Sequence, residues 1–268
     1  VRRCTRLSLQ SKGLGSLAGL AAAAPSLERL DASDNLLTSL DGVGGTRLTW
    51  LSVAGNELEA LTPGAVPGAL GALRLLNASR NQLATLDGVG PHTSPALAAL
   101  VVNANRLTSL RGACAGAGGS VWAELNALVA SDNEITALEA EVLRCMPSLQ
   151  KLSLARNRLR SLEGVGALRA LTELRVAHNM IEELPMELAS CAPLRLLEAG
   201  GNPISRWAGV AVVRELKGLR HLSLRGTPLS ESPKYGARVR KFAPGLLSLD
   251  GARVVVKNKR QVEAAERG

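Results

Sequence analysis

The chain has 268 residues, and 46% of them are hydrophobic, enough for a sizeable core, while only 2% are aromatic, so an aliphatic interior is expected. No apolar run approaches the roughly 18 residues of a membrane-spanning helix, and four scattered cysteines without a CxxC or His/Cys cluster fit neither a zinc site nor a dense disulfide framework. The formal net charge of +9 is uneven: residues 1–204 hold 18 Lys/Arg and 18 Asp/Glu, whereas residues 205–268 hold 14 and 5, so the basic end suits an acidic partner.

In chain order, one pattern keeps returning. Residues 27–40 read LERLDASDNLLTSL and fit the template LxxLxxxxNxLxxL. A degenerate copy opens the chain at Cys4, with Lys12 in the Asn slot. Further copies start at Leu48, Leu73, Leu97, Leu125, Leu149 and Leu171, and looser ones at Leu194 and Leu219, making ten in all. The Asn slot holds Asn35, Asn56, Asn81, Asn105, Asn133, Asn157, Asn179, Asn202 and then Thr227, in steps of 21 to 28 residues. A repeat of this length is the sign of a solenoid. Each LxxLx(A/L/V) stretch reads as a short strand whose inward and outward residues alternate. One coil cannot bury its leucines alone; stacked coils share a continuous core. At the turn after the strand, backbone groups lose their water and need partners. Asn carries both donors and acceptors, so an Asn column can bond coil to coil.

Between the strands, residues 139–148 and 185–193 read as short helices. Residues 111–124 (RGACAGAGGSVWAE) lack the Gly-Lys-Ser/Thr of a phosphate-binding loop and read as a flexible surface loop. Asn77-Ala78-Ser79 matches a glycosylation acceptor, but its place in a predicted strand makes it a chance match. Residues 205–218 read as a helix with Ser205 as N-cap and Gly218 as stop. Tyr235, Val239 and Phe242 then share one helical face, which Pro244 ends. The sole Tyr and sole Phe of the chain would thus close the last coil as a lid.

These repeats resemble leucine-rich repeats over nearly the whole chain. The resemblance implies an α/β fold: a right-handed horseshoe solenoid with a parallel concave β-sheet, short convex helices and a helical C-terminal cap. The expected organisation is a solenoid over 1–230, a cap over 231–254 and a basic tail over 255–268. The LDGV and LEGV endings at Leu40–Val43, Leu86–Val89 and Leu162–Val165 are similar to the short intracellular subclass, which includes protein phosphatase 1 regulatory subunits and an axonemal dynein light chain. The cap positions Tyr235, Val239, Pro244, Leu246, Leu249, Asp250, Gly251 and Val254 match that subclass. Thr227 for Asn and Gly236 for Arg depart from it; the first is expected to weaken a turn, the second to loosen the cap helix.

Strand register predicts what lines the concave face. Its centre is small and apolar: Trp50, Leu75, Ala99, Val101, Ala127 and Val129. Charges flank it, Arg29 and Asp31 on one side, Lys151, Glu173 and Arg175 on the other. An apolar centre with a polar rim is interface anatomy, and Trp50 is the expected anchor. The reading is a noncatalytic adaptor that binds a helix or extended segment of another protein, acting as a monomer within a larger complex. The alternative is a nucleic-acid-associated, ribonucleoprotein or nuclear factor docking through the basic end, where Lys257-Asn258-Lys259-Arg260 also offers a weak nuclear-import signal. His92, His178 and His221 join no nucleophile in a recognised catalytic motif, and neither a cofactor nor a metal is expected. The cysteine usage, and the lack of the cysteine-rich caps common in secreted relatives, point to a cytoplasmic or nuclear setting, with a cytoskeletal, axonemal one implied by the resemblance. Because the chain starts at Val1, the absence of a leader adds little.

Overall fold

The computed structural model describes residues 4–44, 46–62, 70–114 and 120–254; the predicted basic tail over 255–268 lies outside them. Each repeat contributes one three-residue strand: β1 (Arg6–Ser8), β2 (Arg29–Asp31), β3 (Trp50–Ser52), β4 (Leu75–Asn77) and β5 (Ala99–Val101). Then follow β6 (Ala127–Val129), β7 (Lys151–Ser153), β8 (Glu173–Arg175), β9 (Leu196–Glu198) and β10 (His221–Ser223). The strands stack in chain order as one open sheet, all parallel through β11 (Ser248–Leu249). The fold is the leucine-rich repeat solenoid.

The second Leu of each template sits mid-strand and points inward. In β2–β10 it is buried, from Leu30 to Leu222, while Leu7 in the first described coil is half-buried. The first Leu, the residue two beyond the second, and the later template leucines join the same continuous core.

The Asn column forms as the turn chemistry requires. Asn133 donates from Nδ2 to its own coil at Ala130 O (3.2 Å) and to the preceding coil at Val102 O (3.0 Å). Its Oδ1 accepts the Leu107 N–H at 3.0 Å. Asn56, Asn81, Asn105, Asn157, Asn179 and Asn202 make the same three kinds of bond. The residue before the Asn slot is left-handed in every coil: Ser11, Asp34, Gly55, Arg80, Ala104, Asp132, Arg156, His178, Gly201 and Gly226 all have φ between 53° and 73°. The LDGV and LEGV glycines serve close approach. Gly42, Gly88 and Gly164 have φ of 94°, 92° and 86°. A Cβ on Gly88 would stand 2.6 Å from Thr62 N of the preceding coil.

The convex side carries α1 (Leu20–Ala23), α2 (Ala140–Arg144) and 3-10 turns at Val165–Ala167 and Met186–Ser190. Two expectations need correction. Residues 205–218 do not form one capped helix; a kinked 3-10 segment runs Trp207–Arg214, with Arg206 rather than Ser205 at its N-cap. The carbonyl of Gly209 accepts the Leu184 N–H of the preceding coil at 2.7 Å. That bond competes with a helical ladder, and Val210 leaves the helical region. Residues 111–124 are not merely a surface loop either. A 3-10 turn spans Arg111–Cys114, residues 115–119 lie outside the described set, and Trp122 is fully buried. Its indole N–H donates to Ser94 O at 3.3 Å, so one ring fills an otherwise aliphatic interior.

The C-terminal end closes with α3 (Tyr235–Phe242), whose Val239 is buried. Trp207 packs between Tyr235 and Phe242, at centroid distances of 6.3 and 5.7 Å. The Leu-Asp-Gly run is a hairpin: β11 turns through Asp250 (φ 53°) and Gly251 (φ 83°) into antiparallel β12 (Ala252–Arg253), the two-residue Asp-Gly turn that strand twist favours. Asp250 Oδ1 also accepts the Leu224 N–H at 2.7 Å. Thr227, expected to weaken its turn, keeps the own-coil bond to Leu224 O at 2.7 Å and caps the 3-10 turn Pro228–Glu231 by accepting from Ser230 N, while its side-chain bonds among the described residues include neither of the coil-to-coil bonds of the Asn column. Gly236 leaves only an ordinary contact to Leu249.

Candidate functional site

The concave surface is built from the first and third residues of each strand, which the fold turns away from the core. Cα register sets Arg29, Trp50, Leu75, Ala99, Ala127, Lys151 and Glu173 in one row. Asp31, Ser52, Asn77, Val101, Val129, Ser153 and Arg175 form the second. All eleven residues expected at the site therefore lie on one continuous face. The six apolar members span β3–β6, about 14 Å at the usual strand spacing. They are half-buried, since each is walled by the same column on neighbouring strands. Asn77 and Ser52 interrupt the apolar area at one edge. Asn77 Oδ1 accepts from Ser79 N (3.1 Å) and Oγ (2.8 Å), so the matched acceptor side chain is engaged within its own turn.

The flanks are ordered by their own charges. The Arg29 guanidinium stacks 4.9 Å from the Trp50 ring centroid, covering part of the expected anchor. On the other side, Lys151 pairs with Glu173 at 3.1 Å, Arg175 with Glu173 at 3.4 Å, and Arg175 with Glu198 at 3.1 Å. These exposed pairs add about 0–1 kcal/mol each to stability. Their consequence is balance: two cations and two anions satisfy one another, and the rim carries no single-sign field. Sequence reasoning missed the hydroxyl pairs beside the rows, Ser33 with Ser52 (2.8 Å) and Ser131 with Ser153 (2.9 Å). It also missed the left-handed ridge at the sheet edge. There Asp34 is held below the usual carboxylate range, first by the Gln10 amide and also by Arg80, which reaches across Gly55 at 2.7 Å.

Among the described residues, no group of three His, Cys, Asp or Glu converges. Glu198 pairs with Arg175. Burial pushes the Cys191 thiol up to about 11, and burial with Cys145 beside it pushes Cys114 up to about 12, the reverse of an activated nucleophile. No helix among the described residues is long and apolar enough to cross a membrane.

The leucine rich repeat family model matches residues 95–159 and 123–181. An acidic leucine-rich nuclear phosphoprotein 32-related protein of Plasmodium falciparum is 24% identical over 135 residues, 48% of each chain; the chain thus spans about half the length of this curated relative. A leucine-rich repeat protein of Leptospira interrogans superposes with a TM-score of 0.60 at 22% identity, over 84% of this chain and 60% of that one. An internalin of Listeria monocytogenes gives 0.65 at 21% identity, over 91% and 72%. The functional domain of InlJ from the same species gives 0.63 at 22%, over 92% and 53%. At these identities the likeness shows the fold.

Proposed function

The chain carries leucine-rich repeats, and from that premise we propose that it is a noncatalytic scaffold that docks a segment of another protein across its concave face. The observation that carries the reading is the register-aligned apolar floor from Trp50 to Val129, bounded on one side by ion pairs that neutralise one another and on the other by Arg29 and Asp31. Such a floor offers desolvation energy at its centre and orientation at its rim. An apolar area about 14 Å across four strands matches the roughly 10–12 Å diameter of a helix or the breadth of an extended segment. Docking of nucleic acid on this face is disfavoured by the balanced rim, since phosphate backbones are held by a surplus of cations.

The proposal includes an intracellular setting, cytoplasmic or nuclear, supported by the name of the Plasmodium falciparum relative, which relates it to a nuclear phosphoprotein. The test is affinity capture with the full chain, followed by the Trp50→Ala and Val101→Glu variants. Both are expected to lose the captured partner while keeping the native circular dichroism. Capture that survives both substitutions refutes the concave site.

A further inference from the structure

A second site lies at the other end of the molecule. Beside α3, a cavity of about 440 Å³ is lined by Arg214, Lys234, Ala237, Arg238, Lys241 and Phe242. Four of these six residues are cationic, and no carboxylate lines the cavity. Among the described residues, none of the four cations makes an ion pair. This contrasts with the concave face, where neighbouring charges cancel.

The two arginines are also held in place. Arg214 stacks 3.9 Å from the Phe242 ring centroid, and Arg238 stacks 4.3 Å from that of Trp207. A guanidinium over a ring is held by the electron-rich face while its five N–H groups point outward around its edge. Those donors form a fork matched to a tetrahedral oxyanion. Trp207 and Phe242 are in turn fixed against each other, edge to face at 5.7 Å. The rings thus act as shelves for the arginines; all four cations are exposed, and Lys234 and Lys241 add charge to the same cavity.

We propose that this cap cavity binds a phosphorylated side chain, a phosphoserine or phosphothreonine in an acidic segment of a partner protein, through Arg214 and Arg238, with Lys234 and Lys241 adding charge. The site is separate from the concave face and does not depend on that reading. A phosphomonoester fits the geometry better than a nucleic-acid strand does. A strand needs open rings on which bases stack, and the two rings here are already capped by guanidinium. The concave site would then recognise a segment by shape and the cap site by modification state, coupling two weak contacts on one chain.

The test uses the full chain and a fluorescein-labelled acidic peptide bearing one phosphoserine, read by fluorescence anisotropy. The unphosphorylated peptide, inositol hexakisphosphate, a single-stranded RNA and phosphatidylserine vesicles are the comparison probes. The phosphopeptide is expected to bind at least tenfold tighter than its unphosphorylated form and to weaken with added salt. Arg214→Gln with Arg238→Gln should weaken it about tenfold or more, the scale of lost charge-assisted hydrogen bonds. Because those substitutions also remove the two cation–ring stacks, Lys234→Gln with Lys241→Gln provides a pair that is part of neither stack; it should weaken binding several-fold with the melting temperature unchanged. Equal binding of the two peptides overturns the proposal, as does undiminished binding in the lysine pair. Tighter binding of RNA or vesicles than of phosphopeptide overturns it in favour of those ligands, and tighter binding of inositol hexakisphosphate assigns the cavity to a free polyphosphate instead.

Discussion

Replacing Asn133 by Ala isolates what the Asn column does. The side chain accepts one bond, from the buried Leu107 N–H, which has no other partner among the described residues. It donates to Val102 O, but that carbonyl also accepts from Asn105 Nδ2 at 3.0 Å and stays satisfied. The loss therefore falls on one buried N–H, whose orphaning costs about 1–3 kcal/mol. In a solenoid, stability is a sum of coil and neighbour terms, so the effect should be local. Native-state hydrogen exchange should speed by about five- to 150-fold at Leu107, the same 1–3 kcal/mol expressed as an equilibrium. Amides of the distant β2 and β10 should be much less affected. Asn133→Asp sharpens the test: it keeps the acceptor for Leu107 but aims a carboxylate at the carbonyls of Val102, Ala130 and Ser131. The folded-state pKa of that Asp is raised, so its deficit should grow as pH rises above the unfolded carboxyl's pKa of about 4 toward the raised folded value, and shrink as pH falls. Unchanged exchange at Leu107 in Asn133→Ala, or a pH-independent deficit in Asn133→Asp, would refute the reasoning.

The left-handed ridge predicts a stabilising change: Ala104→Gly, at φ 53°, should gain about 0.5–1 kcal/mol in a urea titration, because Gly adopts that conformation without the Cβ penalty. By contrast, Gly88→Ala should lose about 2 kcal/mol or more, since a Cβ at φ 92° would meet the Thr62 backbone at 2.6 Å. Thiol titration checks the cysteines. With Cys114 raised to about 12 and Cys191 to about 11, both stay protonated at pH 8 and should react with a chromogenic disulfide reagent only slowly until urea is added. The sign of the linkage is that the unfolded chain gives up these protons first, so stability falls as pH climbs past about 9.

Strand register was legible to the residue, because a Leu with fixed spacing on both sides leaves one way to face the core. The Asn column followed from the need to satisfy turn backbone. The ridge beside it was hidden: Ser11, Arg80, Ala104 and His178 share a left-handed conformation but no side-chain chemistry, so no residue pattern marks it. The kink at Val210 was hidden for another reason. The run WAGVAVVREL is apolar and reads as one helix, but Gly209 and three valines are weak helix formers, and the tertiary bond from Leu184 to Gly209 O sits at the break. Trp122 was misread because a Gly- and Ala-rich neighbourhood suggests surface, while one large ring is enough to fill the interior of a longer coil. At the site, the rows could be written down from sequence. The pairing of Lys151, Glu173, Arg175 and Glu198 into a neutral rim depends on rotamers that a pattern does not encode. The basic end was visible as a count of charges, but the gathering of Arg214, Lys234, Arg238 and Lys241 around one cavity came only with Trp207 packing between Tyr235 and Phe242.

Site-specific photo-crosslinking tests the docking account most directly. A benzophenone side chain is placed at Ala127 on the concave sheet, or at Met186, which is 58% exposed on the convex side, in the full chain together with its captured partner. Adducts to the partner from position 127, with none from position 186, are the predicted result. Adducts from position 186 alone, or equal yields from both faces, would contradict it.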